Sequence, residues 1–318
     1  MVASRFSNYK SKDDLTMTVS PLVTVYIPTY NRLGLLRRAI DSVLKQDYEN
    51  IELIVVDDGS IDGTCSFLRE LISKDSRVRC FVNEKNSGAC VSRNRAISAA
   101  SGEFVTGLDD DDYFLENRIS TFLGAWGKKQ DNTVALYSNS CFLKAGGKKR
   151  KTKRRIKVVR ENLFERNHIG NQIFVRTESI RAIAGFDEAL PAWQDYDCWF
   201  RILKDPNQQM ELTPQVNYVI DISHTYDRIG MTARAKKLDA FNIIVKKLNI
   251  SGKRLASMRV VMFDSAKISP SFRLIFLKSM LSWSASNVFL AQKVLLKSKI
   301  NKWPKYSELF NAPENPGI

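Results

Sequence analysis

Three times between Leu22 and about Asn139, a short apolar run stops at polar residues and a stretch of helical spacing follows. Val23 to Ile27 is apolar and β-branched and ends at Pro28. Leu35, Leu36, Ala39, Ile40, Val43 and Leu44 then recur at the period of a helix. Ile51 to Val56 is a continuous apolar run, the pattern of a strand buried on both faces. Val78 to Val82 reads as a third strand and precedes a helix from about Gly88 to Ala100. Ser101-Gly102 then separates that helix from a fourth strand, Glu103 to Leu108. Strand and helix alternating in this way build a parallel sheet with helices on both faces. Ligands of such open sheets sit at the carboxyl ends of the strands. Thr29, Tyr30 and Asn31 follow the first strand, Asp57 and Asp58 the second, and Asp109 to Asp112 the fourth. Three distant stretches of chain therefore converge on one rim.

Downstream the pattern changes. Lys148 to Arg160 is dominated by Lys and Arg and reads as an exposed loop or hairpin. Glu161 to Ile222 mixes short strands and helices. From Met231 onward the chain is mostly helical and basic, with Phe272 to Leu281 and Val288 to Leu296 alternating apolar residues with Lys, Arg and Ser. The tail after Trp303 holds three prolines and is expected to be loosely ordered. The expected division is an N-terminal extension over 1–21, an α/β domain over 22–225 and a basic helical region over 226–318.

An apolar fraction of 44 % in 318 residues is ordinary for a buried core, so the unusual quantity is the net charge of +15. Such a surplus asks for an acidic partner: nucleic acid, an anionic membrane surface or a phosphate-rich substrate. The five cysteines are scattered without metal-ligand spacing and read as reduced thiols of a cytoplasm-like compartment. Met1 to Ser20 is polar and lacks the apolar segment of a signal peptide, and no apolar run approaches the ~18 residues of a spanning helix. The expectation is a protein that is soluble or bound to a membrane face.

The run Asp109-Asp110-Asp111-Asp112 is the sharpest feature. Four adjacent carboxylates repel one another and need open solvent or a cation. One reading is a solvated acidic turn. The other is a divalent ion with oxygen ligands that keeps positions for phosphate oxygens and water, and a rim shared with Asp57 and Asp58 favours it. Asp57-Asp58-Gly59-Ser60 serves either as a turn and helix cap or as acceptors for a ribose hydroxyl or base N–H. No GxGxxG or GxxxxGK[ST] loop is present, which leaves a dinucleotide or P-loop site unsupported. Asn86 to Asn94 opens a helix whose first amides, with Arg93 one turn in, are placed to face a diphosphate; the alternative is a surface arginine. Trp193 to Trp199 sets Asp195 and Asp197 among aromatics. Desolvation there raises a carboxylate's pKa and makes it a better general base, or else Asp195 caps a helix and the rings are core. His168 and His224, the two histidines, are each either structural or a further metal ligand.

In order along the chain stand Val23-Thr24-Val25-Tyr26-Ile27-Pro28-Thr29-Tyr30-Asn31-Arg32, Asp57-Asp58-Gly59-Ser60, Asn86-Ser87-Gly88 with Arg93-Asn94, the four-Asp run, and Gln194-Asp195-Tyr196-Asp197. The series resembles the family 2 inverting glycosyltransferases of the GT-A fold, a family at work in bacterial surface-polysaccharide assembly. The likeness spans about Leu22 to Leu203; each piece is short and the combination is specific. The resemblance implies a GT-A-like, mostly parallel sheet flanked by helices and followed by the basic helical C-terminal region. It implies a sugar moved from a nucleotide-diphosphate donor to a hydroxyl of a glycan or polyprenyl-diphosphate-linked acceptor. By the same resemblance Pro28, Tyr30, Asp57 and Asp58 surround the nucleotide, usually uridine, with Asn31, Arg93, Asp109 and Asp110 completing the donor set. Asp109 and Asp111 form the DxD element, Asp111 being the closest ligand of Mn²⁺ or Mg²⁺, and Asp195 falls where the family carries its catalytic base. Two departures stand out. Gln194 replaces a frequent Glu, and four consecutive Asp leave the DxD register open by one residue.

Other classes compete. A nucleic-acid binder could use Lys148 to Arg160, with strong salt dependence, but the run lacks interleaved aromatics, a helix-turn-helix pattern or zinc spacing. A sugar nucleotidyltransferase also joins such a sheet to acidic metal ligands, but the Gly-rich, Arg-containing loop these enzymes carry after the first strand is absent. The basic surplus suits peripheral attachment to the cytoplasmic face of a membrane, at up to ~1 kcal/mol per Lys or Arg near an anionic leaflet. The helices after Met231 would add apolar contact; alternatively they pack on the domain and their charges are simply solvated.

Overall fold

Strand β1 (Val23–Thr29) is buried along its whole length, because it lies inside a sheet covered on both faces. It pairs in parallel with β2 (Ile51–Asp57) on one side and β4 (Phe104–Gly107) on the other, and β2 pairs in parallel with β3 (Val78–Val82). The computed structural model describes residues 20–224, 234–267 and 296. Helices α1 (Leu33–Leu44), α2 (Thr64–Lys74) and α3 (Ala89–Ala99) make the connections. Successive side chains of a strand point to opposite faces, and the core divides accordingly. Val25, Ile27, Leu53 and Val55 pack with Leu36, Ile40 and Val43 of α1. Tyr26, Ile54 and Val56 pack with Cys90, Ala96 and Ile97 of α3 on the other face. The strand order β3-β2-β1-β4 reverses direction between β1 and β4, and the crevice at that switch point is where such a sheet receives a ligand.

Beyond β4 the sheet continues through β9 (Phe174–Arg176), β6 (Thr133–Leu143), β10 (Gln209–Asp221) and β5 (Tyr113–Phe114). β9 runs antiparallel to both β4 and β6, while β6 and β10 are parallel. Parallel pairs carry most of the register, as expected of the fold class. Within the basic run, β7 (Lys149–Lys151) pairs with β6 and β8 (Lys157–Val159) with β10. The run is thus a flap tied at both ends to the sheet. Helices α4 (Arg118–Trp126), α5 (Arg160–Leu163), α6 (Thr177–Ala182) and α7 (Gln194–Ile202) cover the far half.

Two further helices, α8 (Arg234–Lys247) and α9 (Gly252–Ala266), turn their apolar residues inward. Phe241, Ile244, Met258 and Phe263 share one core with Tyr196 and Phe200 of α7. Phe241 meets the Trp193 ring edge-on at 6.4 Å, and the Trp193 indole N–H donates to Ser265 Oγ at 3.2 Å. Lys247 bonds Asp187 at 2.6 Å, and Arg254 bonds Glu161 at 2.6 Å. The apolar faces of α8 and α9 are therefore occupied by the domain, which corrects the expectation that these two helices offer them to a membrane. Phe272 to Leu281 and the proline-bearing tail lie outside the described residues. Among the described residues no helix is long and apolar enough to cross a membrane. All five cysteines are free.

Candidate active site

A cavity of about 1030 Å³ opens at the β1/β4 switch point. Pro28 and Tyr30 reach it from the end of β1, Asp58 from the end of β2, Arg93 from α3, Asp109 to Asp111 from the end of β4, and Asp195 from the first turn of α7. The rim inferred from the sequence thus exists, and Asp195 lines the same space. Asn31 and Asp57 do not line it.

The four aspartates are not four equal charges in solvent. Asp109 accepts from Arg93 Nη2 at 3.1 Å, Asn171 Nδ2 at 2.9 Å and Gln172 Nε2 at 3.1 Å. Asp110 accepts from the Thr29 hydroxyl at 2.8 Å and Arg32 Nη1 at 2.9 Å. Burial nevertheless pushes Asp110 up to about 6, against the pull of Arg32 and Thr29. Asp111 has Arg32 Nη1 and His224 Nε2 each 3.5 Å from Oδ2. Asp112 accepts the Asp221 N–H at 3.0 Å, and Arg38 joins Asp221 to the Asp111 carbonyl. Arg32, Arg38 and Arg93 supply positive charge beside this run at the strand end. They were legible only as scattered positions, with no motif of their own.

Arg93 links the two halves of the cavity. It bonds Asp109 and, through Nη1, Gln194 Oε1 at 3.2 Å, and it lies 5.3 Å from the centre of the Phe186 ring. Burial works to lower its pKa, but Asp109, Tyr26 and Cys90 together outweigh that and hold it above the ordinary arginine value. Asp195, the next residue after Gln194, accepts from Asn167 Nδ2 at 2.9 Å. Burial pushes Asp195 up to about 6; the Tyr196 N–H and Arg93 oppose the rise and Asp109 adds to it. A carboxylate tuned this way is mostly ionised at neutral pH yet more basic than an ordinary aspartate, as a general base requires.

The nucleotide-side loops are held by their own acids. Asp58 accepts from Asn83 Nδ2 at 2.7 Å and from the N–H groups of Ser87 at 3.0 Å and Gly88 at 2.7 Å. Of the amides that open α3, those of Ser87 and Gly88 are taken by Asp58. Asp57 Oδ1 accepts the Ser60 N–H at 3.0 Å, while its buried Oδ2 has no partner among the described residues. Asn31 ties the loop after β1 to the loop after β2: its N–H donates to Ser60 Oγ and its Oδ1 accepts from Ile61 N–H, both at 2.8 Å. The turn between them needs Gly59, whose φ is +81° and whose missing Cβ would stand 3.1 Å from the Lys85 backbone.

Among the described residues no three His, Cys, Asp or Glu side chains form a closed metal cage. What is present suits an ion that takes one or two carboxylates and fills its other positions with phosphate oxygens and water, as Mg²⁺ does. Asp111 lines the cavity, and neighbouring ligands of an ion with 2.1 Å bonds stand roughly 3 Å apart, close to the Asp111–His224 separation of 3.5 Å. His168 lies elsewhere, with Nε2 3.7 Å from Glu165 Oε2, and burial pushes its pKa down to about 4. Of the two histidines, only His224 is brought to the cavity.

A sequence profile described as Glycosyl transferase family 2 matches residues 24–184, about half of the chain. The chain belongs to glycosyl transferase family 2. This family 2 glycosyltransferase is 35 % identical over 232 residues to WcaA of Escherichia coli (strain K12), a protein named as a glycosyl transferase of colanic acid biosynthesis; the match covers 71 % of this chain and 80 % of WcaA. It is 38 % identical over 128 residues to the GalNAc(5)-diNAcBac-PP-undecaprenol β-1,3-glucosyltransferase of Campylobacter jejuni, 40 % of each chain. Among solved structures it resembles Staphylococcus aureus TarS 1–349 in complex with UDP, with a TM-score of 0.63 at 17 % identity over 88 % of this chain and 92 % of that one. It also resembles the mannosyltransferase PcManGT of Pyrobaculum calidifontis in complex with GDP-Man and Mn²⁺, with a TM-score of 0.53 at 18 % identity over 93 % and 89 %. At those identities the likeness establishes the GT-A-like fold of this glycosyltransferase. Family membership sets aside the nucleic-acid-binding and nucleotidyltransferase readings.

Proposed function

We propose that the chain is an inverting glycosyltransferase that moves a sugar from a nucleoside-diphosphate donor, UDP-linked, to a hydroxyl of a glycan or polyprenyl-diphosphate-linked acceptor in surface-polysaccharide assembly. The observation that carries this is a single cavity holding both the Asp109–Asp111 rim and a base-tuned carboxylate, Asp195. Asp195 takes the proton of the acceptor hydroxyl, whose oxygen attacks the anomeric carbon from the face opposite the nucleotide in one displacement. Arg93 and Arg32 place positive charge beside the rim where the leaving diphosphate gathers negative charge. Asp111, with Asp109 and His224, would hold Mn²⁺ or Mg²⁺, which supplies charge neutralisation of the diphosphate when bound. The UDP and UDP-GlcNAc complexes of TarS, the GDP-Man and Mn²⁺ complex of PcManGT and the undecaprenol-linked substrate named for the Campylobacter enzyme support this reading.

The proposal divides the chain into an extension over 1–21, a catalytic domain over 22–225 and a basic region over 226–318. It places the protein on the inner face of the membrane that carries a lipid-linked acceptor, held by exposed cations such as Lys149, Arg150 and Lys151 of the flap. Failure to pellet with anionic vesicles at low salt would remove the membrane part.

Calorimetric titration with UDP, in Mn²⁺ or Mg²⁺ and then in EDTA, tests the donor site. Binding should require the metal and disappear in Asp111→Ala, whereas Asp195→Ala should keep binding and lose turnover. A product of retained anomeric configuration would overturn the single displacement. No binding of UDP or of any other nucleoside diphosphate would overturn the donor assignment.

A further inference from the structure

The cavity holds three arginines, and two of them face carboxylates. Arg32 lies against Asp110 and Asp111, and Arg93 against Asp109. The third, Arg154, makes no ion pair with a carboxylate among the described residues. It comes from the flap, where every other Lys and Arg from Lys148 to Lys157 is exposed. Arg154 alone turns inward.

That inward turn is built into the fold. The Arg154 N–H donates to Asn139 Oδ1 at 3.0 Å, and Nη2 donates to Ser140 Oγ at 3.3 Å. The guanidinium lies over Gly170, where a Cβ would fall 2.5, 2.6 and 2.7 Å from Nη2, Nη1 and Cζ. A side chain at position 170 would fill the cradle. Arg154 Nε is shielded from solvent and has no acceptor among the described residues. A guanidinium partly withdrawn from water and bonded to no carboxylate is held at a cost: burial pulls its pKa below the ordinary arginine value, and the nearby Asp195 charge offsets this only in part. The same loop positions Asp195: Asn167 Nδ2 donates to Gly170 O at 3.1 Å and to Asp195 Oδ2 at 2.9 Å. A cation bonded to no carboxylate and the base thus flank one loop, close enough to feel each other's charge, while the other two arginines serve the Asp109–Asp111 rim.

We propose that Arg154 is the anion subsite of the acceptor, binding an oxyanion carried by the molecule whose hydroxyl Asp195 deprotonates. The planar fork of an arginine accepts a sugar carboxylate or a phosphate of a lipid diphosphate equally well. The inference rests on the transferase reading above and deepens it, from any hydroxyl acceptor to an anionic one.

The test titrates two matched pairs of probes onto the full chain saturated with UDP: methyl glucuronide against methyl glucoside, and farnesyl diphosphate against farnesol. At least one anionic probe should bind about tenfold or more tighter than its neutral partner. Arg154→Gln should abolish that preference and leave UDP affinity unchanged. Preference for the glucuronide assigns the oxyanion to a sugar carboxylate, and preference for farnesyl diphosphate assigns it to the lipid carrier. No preference in the unaltered chain overturns the subsite whatever the variant's folding. Loss of UDP affinity in a folded Arg154→Gln would move Arg154 to the donor diphosphate and overturn it equally. UDP that fails to bind the unaltered chain counts against the donor assignment alone, and the probe pairs are then compared without it.

Discussion

Asn167→Asp tests one of the groups that favour the ionised form of Asp195, beside the Tyr196 N–H and Arg93. Asn167 Oδ1 accepts the N–H groups of Ile169 at 3.0 Å and Gly170 at 2.9 Å, and an aspartate keeps both bonds. The change falls on the other side of the amide, where Nδ2 donates to Asp195 Oδ2 at 2.9 Å and to Gly170 O at 3.1 Å, and both bonds are lost. A hydrogen bond to an ionised group contributes about 1.5–3 kcal/mol, and one pKa unit corresponds to about 1.4 kcal/mol. Losing the donor alone therefore raises Asp195 by about 1–2 units, and a second carboxylate at that distance adds to the rise, the pair sharing one proton. The base works ionised, so activity is present above its pKa and is lost as pH falls through it. The acidic limb of kcat/KM, near pH 6 in the unaltered chain from the raised Asp195 pKa, should move to about 7–8 or beyond. At pH 6.5 the rate should fall roughly threefold for a limb at about 7 and roughly twenty-fivefold for a limb at about 8, and at pH 9 it should return toward the original value. The assay follows nucleoside-diphosphate release from the donor sugar across that pH range. A limb that stays near pH 6, or a loss equal at every pH, would refute the assignment of Asp195 as the base and of Asn167 as a group that holds it.

Gly107→Ala would put a Cβ 2.1 Å from Gln172 Oε1 and 2.5 Å from the Tyr26 ring. Gln172 must then move away from Asp109, so stability should drop by about 1–3 kcal/mol in denaturant titration and nucleotide affinity should fall with it. Arg118 is buried, donates to Ser138 Oγ and Asn217 Oδ1 at 2.8 Å each, and lies 4.6 Å from the ring centres of Phe114 and Phe122. Arg118→Ala leaves a cavity and two orphaned polar groups, so its unfolding free energy should fall by about 3–5 kcal/mol, read from the urea midpoint. Gln194→Glu gives Arg93 a second carboxylate beside Asp195, and the acidic limb of the pH profile should shift upward, since a nearby like charge disfavours the ionised base.

The half of the fold built from parallel strands was legible because burial on both faces leaves a plain mark. Ile51 to Val56 has the continuous apolar pattern expected of an interior strand, and with strand and helix alternating the polar stops after β1, β2 and β4 are expected to share a rim. The other half left weaker marks. β9 is three residues long, too short for any period to register, and β10 interrupts its own alternation with register shifts around Pro214. At the site, carboxylates at strand ends and among aromatics are conspicuous, but it is the family resemblance that picks Asp109 and Asp111 out of the four-Asp run and Asp195 out of the aromatic stretch. Asn167, Asn171 and Gln172 could not be singled out, since an isolated amide carries no pattern and gains its role only when the fold aims it at an acid. Arg154 was hidden for the opposite reason. In a run where nearly every residue is cationic, the sequence holds nothing that marks the one side chain turned inward.

The docking of α8 and α9 onto α7 has a consequence for how the molecule comes apart. Tyr196 and Phe200 stand on the helix that carries Asp195, and they belong to the same unbroken core as Phe241, Ile244, Met258 and Phe263. Helices that share a core open together. The slowest-exchanging amides of α7 should therefore report the same opening free energy as those of α8 and α9. A chain cut after the sheet would lose that protection on the helix that holds the base, even though every motif residue remained in place.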